Sequence, residues 1–333
     1  MREWWIALGF LALGACNAGS SPPEPSPGSA ALALTGEAPP AAPTPTPIAT
    51  PTPLSEERIY RGPDDVPFLV TPRWSPAGDR LLVSGHYGIG LHLLEPAGGG
   101  LRTLDASAQG RAVWSPDALR VLFPVPQAED AFEAIEVASG ARERMPRPAF
   151  LPETIPLFEG RAGAEFLFDA DGRRVLYEEY SGRLVAWDGD RRTNLAEVDA
   201  WGPRAAPDGR RVAWCEEHLH QANLVVAALD GTVLFRGRGA HPAWLADGAR
   251  LVFTEPAPDL EVDGRPFVGF ADLWLLDLRT GARTRLTDTP EALEMEPALS
   301  PQGTELAWAD WSDGTIHVAR FAPDAAAEEG GRP

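Results

Sequence analysis

Cysteine is nearly missing. The 333 residues hold two, Cys16 and Cys215, which excludes a disulfide framework and a cysteine-based zinc cluster. Positive charge is also short. Lys and Arg number 29 against 48 Asp and Glu, a net charge of −19. A nucleic-acid binder carries the opposite sign, as does a protein that adheres to anionic headgroups, so both classes are set aside. Long apolar runs are absent. The most apolar stretch, Trp4 to Leu13, is too short for a bilayer, which needs roughly 20 residues. No Gly-x-Ser-x-Gly occurs, so the elbow of a serine hydrolase is missing. His86, His92, His241 and His317 are scattered and carry no metal-ligand spacing.

What the sequence does have is a repeat. Trp74-Ser-Pro-Ala-Gly78 leads into Leu81-Leu-Val83, and Trp114-Ser-Pro-Asp-Ala118 into Val121-Leu-Phe123. Further copies are Phe168-Asp-Ala-Asp-Gly172, Ala206-Pro-Asp-Gly209, Trp244-Leu-Ala-Asp-Gly248 and Leu299-Ser-Pro-Gln-Gly303, each followed by an apolar run. The Gly position of the copies, at 78, 118 (here Ala), 172, 209, 248 and 303, recurs at spacings of 40, 54, 37, 39 and 55 residues. Pro presets φ for a tight turn, Asp tolerates the next position, and Gly accepts positive φ. The run that follows reads as a strand buried on both faces. A period near forty residues with four short strands per unit marks a β-propeller.

These residues, with Asp272-Leu-Trp-Leu-Leu-Asp277, Thr280-Gly281 and Glu296-Pro297 ahead of the last copy, resemble the TolB-like propeller repeat, a relative of the WD repeat. The resemblance covers about residues 55 to 320 and implies an all-β fold. The expected architecture is a six-bladed β-propeller of four-stranded antiparallel blades. It speaks weakly to function, because the repeat serves many roles. Copies two, three and five depart from it at Ala118, Ala170 and Ala246.

The C-terminal unit offers three strands and then ends. Arg58-Ile-Tyr60 reads as its fourth, so the N-terminal strand is expected to join the last blade and close the ring, removing exposed edges. The expected domains are a signal segment at 1–16, a linker at 17–54, the propeller at 55–322 and a flexible tail at 323–333. Leu13-Gly-Ala-Cys16 resembles the bacterial lipobox, which implies that Cys16 becomes the acylated first residue of the mature chain. The other reading is an ordinary export signal with a chance Cys. The linker holds eleven Pro in thirty-eight residues and cannot bury enough surface to fold. Extended, it reaches on the order of 100 Å. This low-complexity segment stands where TolB carries an α/β domain, so the resemblance does not bring over that protein's role.

A propeller sorts its loops to two faces. The tight turns collect arginines such as Arg80, Arg120, Arg211 and Arg250. The opposite face takes both long insertions, Met145 to Gly163 and Glu255 to Ala271, and collects acids. Long loops in a compact fold are commonly functional. The candidate partner-binding residues are therefore Glu153, Glu159, Glu216, Glu217, Asp259, Glu261, Asp263, Asp310 and Asp313. They form an acidic face suited to a basic protein, peptide or cell-wall ligand.

Two stretches fall short of a metal site. Asp259-Leu-Glu-Val-Asp263-Gly264 faintly resembles a calcium loop, but Phe270 stands where Glu is needed. Cys215-Glu-Glu-His218-Leu-His220 offers S and N donors in a hairpin loop. No cofactor, metal or catalytic residue is assigned. The expected function is a non-catalytic binding or scaffold role for a monomer, lipid-anchored on the extracytoplasmic side of a bacterial membrane. A metal-dependent hydrolase or lyase acting in the central channel is the alternative.

Overall fold

The computed structural model describes residues 54–109, 112–115, 117–124, 131–146, 158–159, 162–167, 174–178, 183–187, 191–197, 200–257, 260–262 and 265–323. The signal segment with Cys16, the linker up to residue 53, Glu153, Asp259, Asp263 and the tail from residue 324 lie outside the described residues.

The repeated turn forms as its sequence demands. Ser75 N donates to Arg80 O at 2.8 Å and Gly78 N to Ser75 O at 2.9 Å. The same pair of bonds recurs at Ser115, Ala206, Leu245 and Ser300. Gly78, Gly209, Gly248 and Gly303 take φ between 62° and 76°. Ala118 takes φ 58° in the equivalent place, so the turn survives without glycine but at a steric cost. The second strands that follow are buried. Leu81–Gly85 is buried at every position, and Glu305–Asp310 is buried from its second residue on.

Among the described residues there is no α-helix, and the strands form six antiparallel sheets plus a separate hairpin. Sheet one runs from Leu69–Trp74 through Leu81–Gly85 and Ile89–Glu95 to Gly100–Gln109. Sheet two spans Val113–Trp114 to Arg142–Pro146, and sheet four spans Ala200–Ala205 to Val233–Arg238. Sheet three gains a fifth strand, because Phe158–Glu159 folds out of the first insertion and pairs with Ala162–Leu167. In sheet five, Arg250–Ala257 pairs along its whole length with Phe270–Asp277. The second insertion is therefore shorter than its sequence implied. Within it Leu260–Val262 pairs with Arg265–Phe267 as the separate hairpin, so the stretch resembling a calcium loop holds paired strand.

Sheet six contains Glu294–Leu299, Glu305–Asp310 and Thr315–Arg320, with Ser55–Tyr60 as its outer strand. Tyr60 stands opposite Ile316 and Ile59 opposite His317. Ser55–Tyr60 buries no side chain completely and is held mainly by polar contacts. Arg58 pairs with Glu305, His317 Nδ1 lies 2.6 Å from Glu57, and Tyr60 Oη donates to Pro96 O at 2.7 Å.

Each sheet is too small to bury both faces alone, and neighbouring sheets share their cores. Leu82 and Leu93 of sheet one pack with Val121 and Ile135 of sheet two. Leu184 of sheet three meets Trp214 and Val225 of sheet four. Ala213 and Val226 of sheet four meet Leu251 and Phe253 of sheet five. Val252 and Leu273 of sheet five meet Leu306 and Trp308 of sheet six. Leu81 and Val83 of sheet one pack on Ile316 and Val318 of sheet six.

Tryptophans pin the inner strands. Trp74 Nε1 donates to Ala298 O at 3.1 Å, Trp114 Nε1 to Arg73 O at 3.2 Å, and Trp244 Nε1 to Arg204 O at 3.0 Å. In each case the indole at the end of a first strand reaches the first strand of the preceding sheet. A buried indole N–H normally finds an acceptor, and here the acceptor is the neighbouring sheet.

Candidate functional site

The first strands are one another's neighbours. Ala162–Leu167 lies beside Ala200–Ala205, which lies beside Ala240–Trp244, then Glu294–Leu299, then Leu69–Trp74. Four of them share one interruption. Thr71, Gly202, His241 and Glu296 each precede a proline and take φ of 53°, 61°, 50° and 54°. At each the ladder to the second strand shifts register. Proline has no N–H to continue a ladder, so the chain bulges around it. Three of the four are not glycine, and left-handed backbone there costs about 1–2 kcal/mol per residue. Such conformations persist only where the surroundings hold them. One hold is visible: Thr71 N donates to Glu296 Oε2 at 2.7 Å, from sheet one to sheet six.

An aromatic arc stands at this end of the inner strands. The rings of Trp201 and His241 meet edge-on at 5.4 Å, and His241 lies 6.4 Å from Trp311. Trp201 Nε1 donates to Glu217 O at 2.6 Å. Trp201 belongs to sheet four, His241 to sheet five, and Trp311 to the turn between the second and third strands of sheet six. All three are partly exposed.

The acids expected on this insertion face separate into groups. Glu216 is engaged: it pairs with Arg236 and accepts from Trp214 Nε1 at 3.1 Å. Asp313 accepts from Thr315 and lies 2.9 Å from Arg61. Asp310 is 9% exposed, and its Oδ1 accepts from Leu293 N and Ser312 N, which makes it a turn-closing group. Glu217 is exposed and makes no ion pair among the described residues. Glu159 and Glu261 fall on the strands Phe158–Glu159 and Leu260–Val262.

Asp64, Asp65 and Glu291 share the condition of Glu217: each is exposed, on the same face, with no ion pair among the described residues. On the tight-turn face several acids are paired with arginine. There Asp79 meets Arg80, Asp208 meets Arg211, Asp247 meets Arg250, Asp277 meets Arg279, and Glu143 meets Arg120. The arginines that the sequence assigned to that face are thus largely matched by local carboxylates.

One acid was not foreseen as special. Glu294 opens the first strand of sheet six and is 4% exposed. Burial raises its pKa to about 7, aided by the charges of Asp272 and Asp310 and opposed by hydroxyl donation from Thr287 and Thr289. Asp272, also 4% exposed, pairs with Arg285 at 2.6 Å, while its Oδ1 has no partner among the described residues. Only the strand ladder brings Glu294 level with Asp310, and nothing in its linear context marks it.

Cys215 is fully buried against Ala222 and Ala240, and the rings of His218 and His220 stack at 6.0 Å. Among the described residues no three His, Cys, Asp or Glu are grouped to hold a metal ion.

No protein-family model matches the chain, nor does any curated protein. Solved structures do resemble it. The β-propeller domain of Cps50 (Swd1) from Myceliophteria thermophila is 14% identical at a TM-score of 0.54, covering 82% of this chain and 100% of that one. A protein assigned as TolB from Agrobacterium tumefaciens is 19% identical at a TM-score of 0.50, covering 81% and 99%. An oligogalacturonate lyase from Vibrio parahaemolyticus is 12% identical at a TM-score of 0.50, covering 83% and 99%. At such identities the likeness concerns fold alone. The chain has the fold of the β-propellers, a class that includes TolB and WD-repeat proteins.

Proposed function

We propose that this chain is a six-bladed β-propeller closed by its own N-terminal strand, and that it binds a basic protein or peptide partner through the insertion face. It is a binding module held at a bacterial membrane by lipid on Cys16, with residues 17–54 as its tether on the extracytoplasmic side. The observation that carries the binding assignment is the set of exposed carboxylates Asp64, Asp65, Glu217 and Glu291, which make no ion pair among the described residues and lie on the face that takes the long insertions. Unpaired charge of one sign steers an oppositely charged partner and raises its on-rate. Glu153, Glu159, Asp259, Glu261 and Asp263 extend the same face in this reading.

The test uses a lysine hexapeptide as probe and the full chain as target. Affinity should fall steeply as salt rises, because the Debye length shrinks from about 10 Å at 0.1 M to about 3 Å at 1 M. Glu217→Lys with Glu291→Lys should weaken binding about tenfold at low salt, while Asp230→Lys on the tight-turn face should not. Equal effects of the two changes would overturn the assignment of the face.

A further inference from the structure

We propose that the arc formed by Trp201, His241 and Trp311 is a docking mouth for an arginine side chain presented by the basic partner. This rests on the acidic-face reading and names the contact within it. Three observations converge. First, the arc joins three sheets at the end of the inner strands, where each contributes one partly exposed ring, with spacings of 5.4 Å and 6.4 Å. Second, the backbone beneath it is bulged at the same place in four sheets, with His241 and Glu296 in left-handed conformation despite their side chains. A bulge re-aims a side chain out of the pleat, and bulges of this kind concentrate next to binding sites. Third, the rim is acidic. Glu217 is exposed and tied through its own carbonyl to Trp201, and Glu291 lies in the segment leading to the first strand of sheet six.

Partly exposed aromatic rings in an acidic neighbourhood suit a guanidinium better than an ammonium. Arginine is planar and weakly hydrated, stacks on rings, and still offers donors in its plane to a carboxylate. The chain uses this chemistry itself. The guanidinium of Arg283 lies 5.2 Å from the Phe253 ring centre and 5.1 Å from that of Trp274, and it also pairs with Glu255. A second copy of this chain does not fit the mouth as well, since its net charge is −19.

The experiment compares an arginine hexapeptide with a lysine hexapeptide on the full chain. General attraction to acids treats the two alike; a stacking mouth does not. The arginine peptide should bind wild type at least about fivefold tighter, the scale of one favourable cation–π contact. Trp201→Leu with Trp311→Leu should bring the two peptides to equal affinity while leaving the salt dependence in place. Equal affinities on wild type overturn the mouth and leave the acidic face standing. Loss of the salt dependence in wild type overturns the face itself. If the double variant does not fold, the wild-type comparison decides alone. Fluorine NMR of wild type labelled with 5-fluorotryptophan adds a second readout, in which the arginine peptide should shift the Trp201 and Trp311 signals first. Shifts confined to other tryptophans count against the proposal.

Discussion

Trp74 and Ala298 are joined by a hydrogen bond of 3.1 Å from indole to backbone carbonyl, although they stand 224 residues apart. It is the junction of the first sheet with the last. Replacing Trp74 with Phe keeps an aromatic ring but leaves the carbonyl without its donor. That change should cost about 1–3 kcal/mol, and Trp74→Ala about 3–5 kcal/mol. Denaturant unfolding of both variants measures it, and Trp114→Phe and Trp244→Phe should behave alike, since each makes the same bond at another junction between sheets. If Trp74→Phe costs nothing, the indole bond is not what pins the junction.

Ala118 occupies the glycine position of its turn at φ 58°. Ala118→Gly should stabilise the protein by up to about 1 kcal/mol, because relief of the left-handed penalty exceeds the added chain entropy. The reverse change in a sister turn, Gly209→Ala at φ 63°, should destabilise by a similar amount. Paired melting curves read both.

Glu294 makes stability depend on pH in the direction opposite to most acids. Its folded pKa is raised from 4.5 to about 7, so the native state holds a proton that the unfolded chain releases. Stability from this group is complete below about 4.5 and is lost as pH rises through 7. The loss is of the order of 3 kcal/mol at alkaline pH. Glu294→Gln should abolish that slope and raise the melting temperature at pH 8 relative to wild type. Asp105 works in the other sense. Burial pushes its pKa up, but the N–H and hydroxyl of Ser107, Arg142 and the N–H of Ala108 outweigh it and hold it below the ordinary value. Its contribution is lost as pH falls, so the Glu294→Gln comparison belongs above pH 5.

Removing residues 55–60 should lower the melting temperature and promote self-association. The deletion exposes the backbone edge of Thr315–Arg320, and an unpaired edge next to a buried strand recruits other strands. Size-exclusion chromatography at several concentrations reads the outcome. A truncated chain that stays monomeric and equally stable would remove the closing role from Ser55–Tyr60.

Cys16→Ala should release the protein from the membrane fraction and abolish incorporation of labelled palmitate. Retention of both would return Cys16 to an ordinary residue of an export signal.

The turns and second strands were legible because their physics is local. A glycine at positive φ and an unbroken apolar run say what they are within ten residues. The pairing of Ser55–Tyr60 with the last sheet was legible for a different reason, since the C-terminal unit was one strand short. The site was less readable. Nothing in the linear context of Asp310 or Glu294 marks either as buried, and they stand opposite each other across the Glu294–Leu299 and Glu305–Asp310 ladder. The repeated X-Pro of the inner strands, Thr71-Pro, Gly202-Pro, His241-Pro and Glu296-Pro, was present in plain view. Its meaning needed the bulge, which depends on how two strands pair. The Trp201–His241–Trp311 arc joins residues from three sheets and has no linear signature at all.

Arg58 meets Glu305 across 247 residues of chain. A ribosome delivers the first of these long before the second, so during synthesis the early strand has nowhere to dock and the final sheet waits for its missing member. Completion is thus tied to arrival of the C-terminal end, and a chain stalled or clipped before Thr315–Arg320 would present open edges to whatever surrounds it.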